Sequence, residues 1–479
     1  MRLKDDNKKI MLSALLFPVL LAGVYKKVPA AEKADLVVFQ ELESEESRET
    51  YEEILTEYTE ETGTKIRLET YSSSDYRKEL EAAFAEGNEP DVYTGSLADM
   101  TKDFNDGQLH NFLYLYDEEN VYQPGESWSD KLPAPVKDKM YISNKEIPGY
   151  PASFETVRIL CNKELFDSAH VEIPQTWAEF LESCKKFTDS GIRPLAFPGS
   201  SYGEPAWQWL LNSLGNQTAG NLPDFLDVNE REKGYVELNE FCRGLEQGDI
   251  DFQKEFLSPY KRFQEFAQFL GEDFENMTQA QALEAFEKGE AAMVLTESSS
   301  IKEMEAVAEG EFSTEAISVP VIMKDTDENS AEKPVLPYVQ PEMIYGINSS
   351  LKKEGEKLDM AVDFVQYMTS EEVQSRLSEE LYLLPSNQNA AFHKVLEGFR
   401  ISEDGARIPF FAGMNEKHRE IVWDILKEYI SGEIPETEFS EKMQKSYETE
   451  EQEIKELKGW NITNNYGMPK TGECTMCAP

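Results

Sequence analysis

The sequence predicts an α/β protein of two lobes, with strands that cross from one lobe to the other. Three observations carry that prediction. The chain has 479 residues, too long for one hydrophobic core and suited to two domains with inserted connections. Residues 35–93 alternate strand and helix patterns, the signature of a parallel sheet covered by helices. Residues 150–187 join an apolar, β-branched strand to a capped helix, and that strand is placed as the crossing between lobes.

The elements follow in order. Asp35–Gln40 is a short apolar strand, and a helix from about Ser44 carries Tyr51, Ile54, Leu55 and Tyr58 at helical spacing until Gly63. Residues 64–71 alternate as a second strand. Tyr76, Leu80, Ala83 and Phe84 mark a second helix, and Asp91-Val92-Tyr93 a third strand. Ligands of such sheets sit outside the carboxyl ends of the strands. That rule points to Gln40, Glu41, Tyr93, Thr94, Gly95 and Ser96.

In the crossing strand, Phe154, Val157, Ile159 and Leu160 favour extended backbone, with Glu155 at its head beside an aromatic. Thr176 and Glu179 form a capping box that opens a helix with Trp177, Phe180, Leu181, Cys184 and Phe187 on one face. Residues 192–198 are a short strand leading into Ser200-Ser201-Tyr202-Gly203-Glu204-Pro205-Ala206-Trp207. Glycine, proline and large aromatics in one turn are unusual for a pure linker. Residues 224–288 read as mostly helical. Ala291–Leu295 is a buried strand with Glu297, Ser298 and Ser299 at its exit, and 316–322 reads as a second crossing strand. Glu342–Asn348 is a strand, 359–368 a helix, and 416–430 and 436–457 are amphipathic helices. The tail from Gly459 has no periodicity and is expected to be flexible.

Composition narrows the function. The formal net charge is −45, which opposes phosphate backbones and anionic lipid, so nucleic acid is excluded as a partner. The same acidity serves solubility or attracts cationic ligands. The cysteines Cys161, Cys184, Cys242, Cys474 and Cys477 are odd in number and form no disulfide framework. No Gly-x-Ser-x-Gly, phosphate-binding glycine loop or histidine-rich metal pattern is present, so no catalytic residue, cofactor or metal is assigned. Paired carboxylates are uninformative in a chain with 92 Asp and Glu residues. Arg2, Lys4, Lys8 and Lys9 precede an apolar run from Ile10 to Val24, too short for an ordinary membrane span and suited to a signal segment, either cleaved or retained as an anchor.

Four stretches in order carry a resemblance: FETVRILCNKELF with PQTWAEFLESCKKF, then Phe286-x-x-Gly289-x-Ala291-Ala292-Met293, then YGINSS and AVDFVQYMTSEE. The chain resembles the extracellular solute-binding proteins of carbohydrate ABC importers, which are maltose-binding-protein-like, over roughly residues 35–457. The resemblance implies a periplasmic-binding-protein-like fold with hinge strands near Ser153–Glu155 and Ser318–Pro320. It implies lobe 1 from 35–153 and 319–365, lobe 2 from 154–318 and 366–458, a signal or anchor over 1–34 and a tail over 459–479. It also implies a monomer that works outside the cell, binds a sugar or small oligosaccharide and meets permease subunits in its membrane. By the same resemblance Glu155 bonds the ligand from the crossing strand, and Tyr202, Glu204 and Trp207 supply an acid and platforms. Tyr93 and Ser96 contact the ligand from the turn after the third strand, beside Gln40 and Glu41. Glu297 and Ser299 stand where the family usually places Gly and Trp, which removes a stacking platform. Val24 replaces the cysteine a lipoprotein signal would need. For individual residues other roles stay open: Trp207 as core, and Glu297 as the partner of Lys302. For the chain, the alternatives are a binder of a peptide, polyamine or other cationic solute, or a sensory receptor.

Sugar chemistry fits these residue types. Aromatic rings cover apolar C–H faces, and carboxylates accept from hydroxyls in charge-assisted bonds.

Overall fold

The computed structural model describes residues 34–468, except 143–144, 200–205, 229–234, 251, 253–255, 272, 305–306, 308 and 409–414. The strands are β1 (Leu36–Glu41), β2 (Ile66–Tyr71), β3 (Val92–Gly95), β4 (Glu119–Asn120), β5 (Gln123–Ser127), β6 (Tyr150–Asn162), β7 (Arg193–Ala196), β8 (Ala291–Glu297), β9 (Thr314–Ile317), β10 (Val339–Ile347) and β11 (Leu384–Pro385). Nine of them run in one sheet, ordered β2-β1-β3-β10-β6-β8-β7, with β9 and β11 also on β6; β4 and β5 form a hairpin.

The first strands alternate with helices α1 (Glu45–Thr62), α2 (Ser73–Glu86) and α3 (Leu97–Asn105), and β1 lies parallel to both β2 and β3. Gly63 and Gly87 end α1 and α2 in the left-handed conformation that glycine adopts without steric penalty.

β6 holds the molecule together. Its 13 residues change partner midway. Tyr150–Thr156 pair with β10, whereas Val157–Cys161 pair with β8. The hydrophobic core divides along the same strand, just before that change. Tyr150 and Ala152 belong to the cluster of β1, β3 and α1, while Val157, Ile159 and Cys161 belong to a second cluster with Trp177, Phe187 and Trp423. A third cluster, with Phe154, Leu160, Phe286 and Val294, fills the other face of the second lobe. The crossing strand and the capping box of Thr176 and Glu179 thus form as the sequence implies.

Three expectations change. The stretch 316–322 does not cross between lobes. β9 ends at Ile317 on the second-lobe half of β6, and Pro320, which has no N–H to donate, follows; the partner of β6 at the crossing is β10. The lobe boundaries move with it. Val319 and Ile322 sit in the second-lobe core, whereas Phe364, Val365, Val373, Leu377 and Leu381 pack in the first. Thr50 of α1 donates to Glu380 (2.9 Å), which ties the helix Glu371–Leu381 to the first lobe. Finally, the tail is docked as far as residue 468: Tyr466 is buried and its hydroxyl donates to Glu246 at 2.6 Å. The apolar N-terminal run, Cys474 and Cys477 lie outside the described residues. Among those described, no helix is long and apolar enough to cross a membrane.

Candidate functional site

The pairing change on β6 gathers acidic residues from neighbouring strands. Glu155 lies opposite Gln340 of β10, and Glu342 lies opposite Ser153, while Glu297 at the end of β8 lies opposite Val157. Period-two alternation on short, adjacent strands brings these side chains into one region where the lobes meet. The backbone N–H of Ser299 donates to Glu155 Oε1 at 3.3 Å, and Thr156 N–H donates to Ser298 Oγ at 3.4 Å. The turn after β8 is therefore fastened to the crossing strand.

Electrostatics show that Glu342 and Glu297 sense their acidic neighbours. Glu342 is half-buried, and its pKa rises to about 7, first through loss of water and then through Glu155, Glu41 and Glu297. Glu297 also rises to about 7, through burial and then Glu155. Glu41 is exposed overall, yet its carboxyl is pushed up by the protein around it, then by Glu43 and Asp99. The phenol of Tyr338, just before β10, is raised by burial and then by Glu155, Glu342 and Glu297. Its ring leans on Trp209 at 6.1 Å. Lys302 does not neutralise Glu297, because its ammonium lies 3.3 Å from Glu46 of α1 instead.

Glu41, Glu155, Glu297 and Ser299 thus come together around the crossing. Gln40 is nearby in the chain at the exit of β1. It is only 1 % exposed, and neither end of its amide meets a hydrogen-bond partner among the described residues. Ser96 caps α3, accepting from Asp99 N–H (3.2 Å) and donating to Asp99 Oδ2 (2.7 Å), so its hydroxyl already serves the helix.

Two expected contacts are corrected. Tyr93 is fully buried, packs edge-on to Phe84 at 5.7 Å, and donates to Asp103 (3.2 Å), itself held by Arg77. Trp207 is also fully buried, stacked on Trp423 at 5.3 Å. Each ring gains more from core burial than a surface position would give it, so neither offers a free face. Tyr202 and Glu204 lie outside the described residues. Sequence reasoning missed Glu342 and Tyr338. The available signal was a glutamate at the head of the otherwise apolar strand 342–348, but its face is defined only once β10 is paired with β6.

One other group merits a chemical reading. His418, Glu450 and Glu453 place three possible metal-ligand atoms within 4.8 Å of one another. Both ring nitrogens of His418 already have protein partners, Nδ1 with Glu450 (2.6 Å) and Nε2 with the Ser446 carbonyl (2.5 Å). That geometry ties the helices Glu416–Ile430 and Glu436–Lys458 together and leaves the ring no free lone pair for an ion.

The chain matches the bacterial extracellular solute-binding protein family over residues 43–375. No curated protein matches it. Among solved structures, a probable secreted solute-binding lipoprotein from Streptomyces coelicolor is similar at a TM-score of 0.64 and 17 % identity, over 87 % of this chain and 99 % of that one. The apo form of RafE from Streptococcus pneumoniae is similar at 0.60 and 16 % identity, over 88 % and 100 %. A chitin oligosaccharide binding protein is similar at 0.55 and 21 % identity, also over 88 % and 100 %. At these identities the likeness shows the fold, two lobes around a cleft. A family match over more than half of the sequence, on a sheet shared between two cores, assigns the chain to the bacterial extracellular solute-binding proteins.

Proposed function

We propose that the chain is the extracellular solute-binding component of an ABC import system, and that it holds a sugar or small oligosaccharide between its lobes without transforming it. The observation that carries this reading is the partner change on β6, which sets Glu155 where the two cores meet. Structural relatives are described with raffinose and with acarbose, which supports a saccharide here. Carboxylates accept from sugar hydroxyls, Tyr338 covers an apolar sugar face, and the unspent amide of Gln40 can bond a hydroxyl from either end. A solute that touches both lobes favours the closed arrangement by its difference in affinity for the two states, and a permease would recognise that arrangement. The N-terminal apolar run would direct the chain out of the cell.

The test is a melting-temperature panel of neutral saccharides, including raffinose and chitin oligosaccharides, with solution scattering on each candidate. A stabilising saccharide that also shrinks the radius of gyration is the expected result. Unchanged melting and unchanged scattering for all of them would refute the reading.

A further inference from the structure

The acids of the cleft differ from buried acids elsewhere in the molecule. Asp103 is answered by Arg77 at 2.5 Å, Asp91 by Lys357 at 2.7 Å, Glu403 by Arg158 at 3.0 Å and Glu450 by His418 at 2.6 Å. Glu41, Glu155, Glu297 and Glu342 have no cationic partner among the described residues, although Glu155 lies two places along β6 from Ser153, the residue opposite Glu342, and Glu155, Glu41 and Glu297 stand close enough to Glu342 to raise its proton affinity. The cations nearest in sequence are engaged elsewhere: Arg158 with Glu403 and Lys302 with Glu46. A half-buried carboxylate has given up water and needs a donor or a positive charge in return. A second observation stands at the same strand exit. The amide of Gln40, 1 % exposed, has neither its donors nor its acceptor engaged among the described residues. Tyr338 adds an aromatic ring beside the carboxylates, and carboxylates with a ring are the surroundings that attract an ammonium. Neutral hydroxyls would bond these oxygens but leave the summed negative charge in place.

We propose that the solute presents a positively charged nitrogen to Glu41, Glu155, Glu297 and Glu342, as an amino sugar or a polyamine does. The proposal rests on the cleft being the ligand site, but not on the ligand being a saccharide.

Calorimetric titration of the whole chain tests it with four probes: a β-linked glucosamine trimer, its N-acetylated counterpart, raffinose and spermidine. The expected result is that the glucosamine trimer binds at least about tenfold more tightly than its acetylated form, as a charge-assisted bond should give. The preference should fall away in Glu342→Gln and Glu155→Gln and at about 0.5 M salt, but persist in Glu303→Gln, an exposed carboxylate outside the group. Equal or tighter binding of acetylated trimer or raffinose overturns the proposal and leaves the saccharide reading standing. Spermidine binding that Glu342→Gln weakens, with no saccharide bound, supports the proposal and removes the saccharide reading. Silence from all four probes removes both. A preference for amines unchanged in both glutamine variants, with their melting transitions intact, also overturns it.

Discussion

Glu297 and Glu342 titrate near 7 in the folded chain rather than near 4.5, because burial and neighbouring carboxylates disfavour their charged forms. Between those two values the folded chain keeps protons that the unfolded chain has released. The stability these two groups contribute is therefore complete below about pH 4.5 and lost as the pH rises through about 7. The empty wild-type chain is predicted to lose more melting temperature between about pH 5 and about pH 8 than the Glu297→Gln/Glu342→Gln double variant. Parallel melting curves across that range would show the acids to be solvated and uncoupled. At this scale the sequence was partly informative. Glu41 and Glu297 were picked out at strand exits and Glu155 at the head of the apolar crossing strand, because both positions follow from local pattern. Trp207 and Tyr93 were legible only as aromatics near turns; whether such a ring faces core or cleft depends on Trp423 and Asp103, which lie far away or across a helix turn.

At the scale of elements, local signals were reliable and long-range pairing was not. The Thr176–Glu179 box, the glycine stops of α1 and α2, and the β6 strand each depend on a few adjacent residues, and each is present. The stretch 316–322 and the strand at 339–347 have similar apolar content, and only pairing with β6 decides which of them crosses. β10 also carries a local distortion without a change of register: Met343, between the pairs Glu342–Ser153 and Ile344–Pro151, takes φ 46° and accepts a hydrogen bond from Tyr51 on its sulfur. β6 itself is anchored through Arg158, which is buried. Its guanidinium donates to the carbonyls of Gly398 and Arg400 and to Glu403, which also accepts from Ser318. Arg158→Leu is predicted to destabilise the chain by about 3–5 kcal/mol, because Glu403 is then buried without its charge partner. Urea unfolding measures this, and a loss below about 1 kcal/mol would mean that Glu403 finds water instead.

For the whole molecule, two lobes joined by a crossing strand were legible from length and strand order, whereas the single sheet shared between them and the boundaries were not. The helix Glu371–Leu381 joins the first lobe through Val373, Leu377 and Leu381, whose apolar face would suit either core. Direct polar contact between the lobes includes the pair of Lys302 and Glu46, both of them exposed. Exposed pairs contribute only about 0.2–1 kcal/mol. Lys302→Glu is therefore predicted to change solute affinity by less than about tenfold and to leave the scattering profile of the empty chain as it is. A larger change in either would make this pair a true clasp.

The continuity of β6 has one more consequence. Severing the polypeptide on either side of residues 150–162 would strip β10 and β8 of their common neighbour and bare a row of backbone donors and acceptors on each. Such fragments would recruit strands from other molecules. The two halves of this protein thus depend on one uninterrupted strand to keep those edges covered.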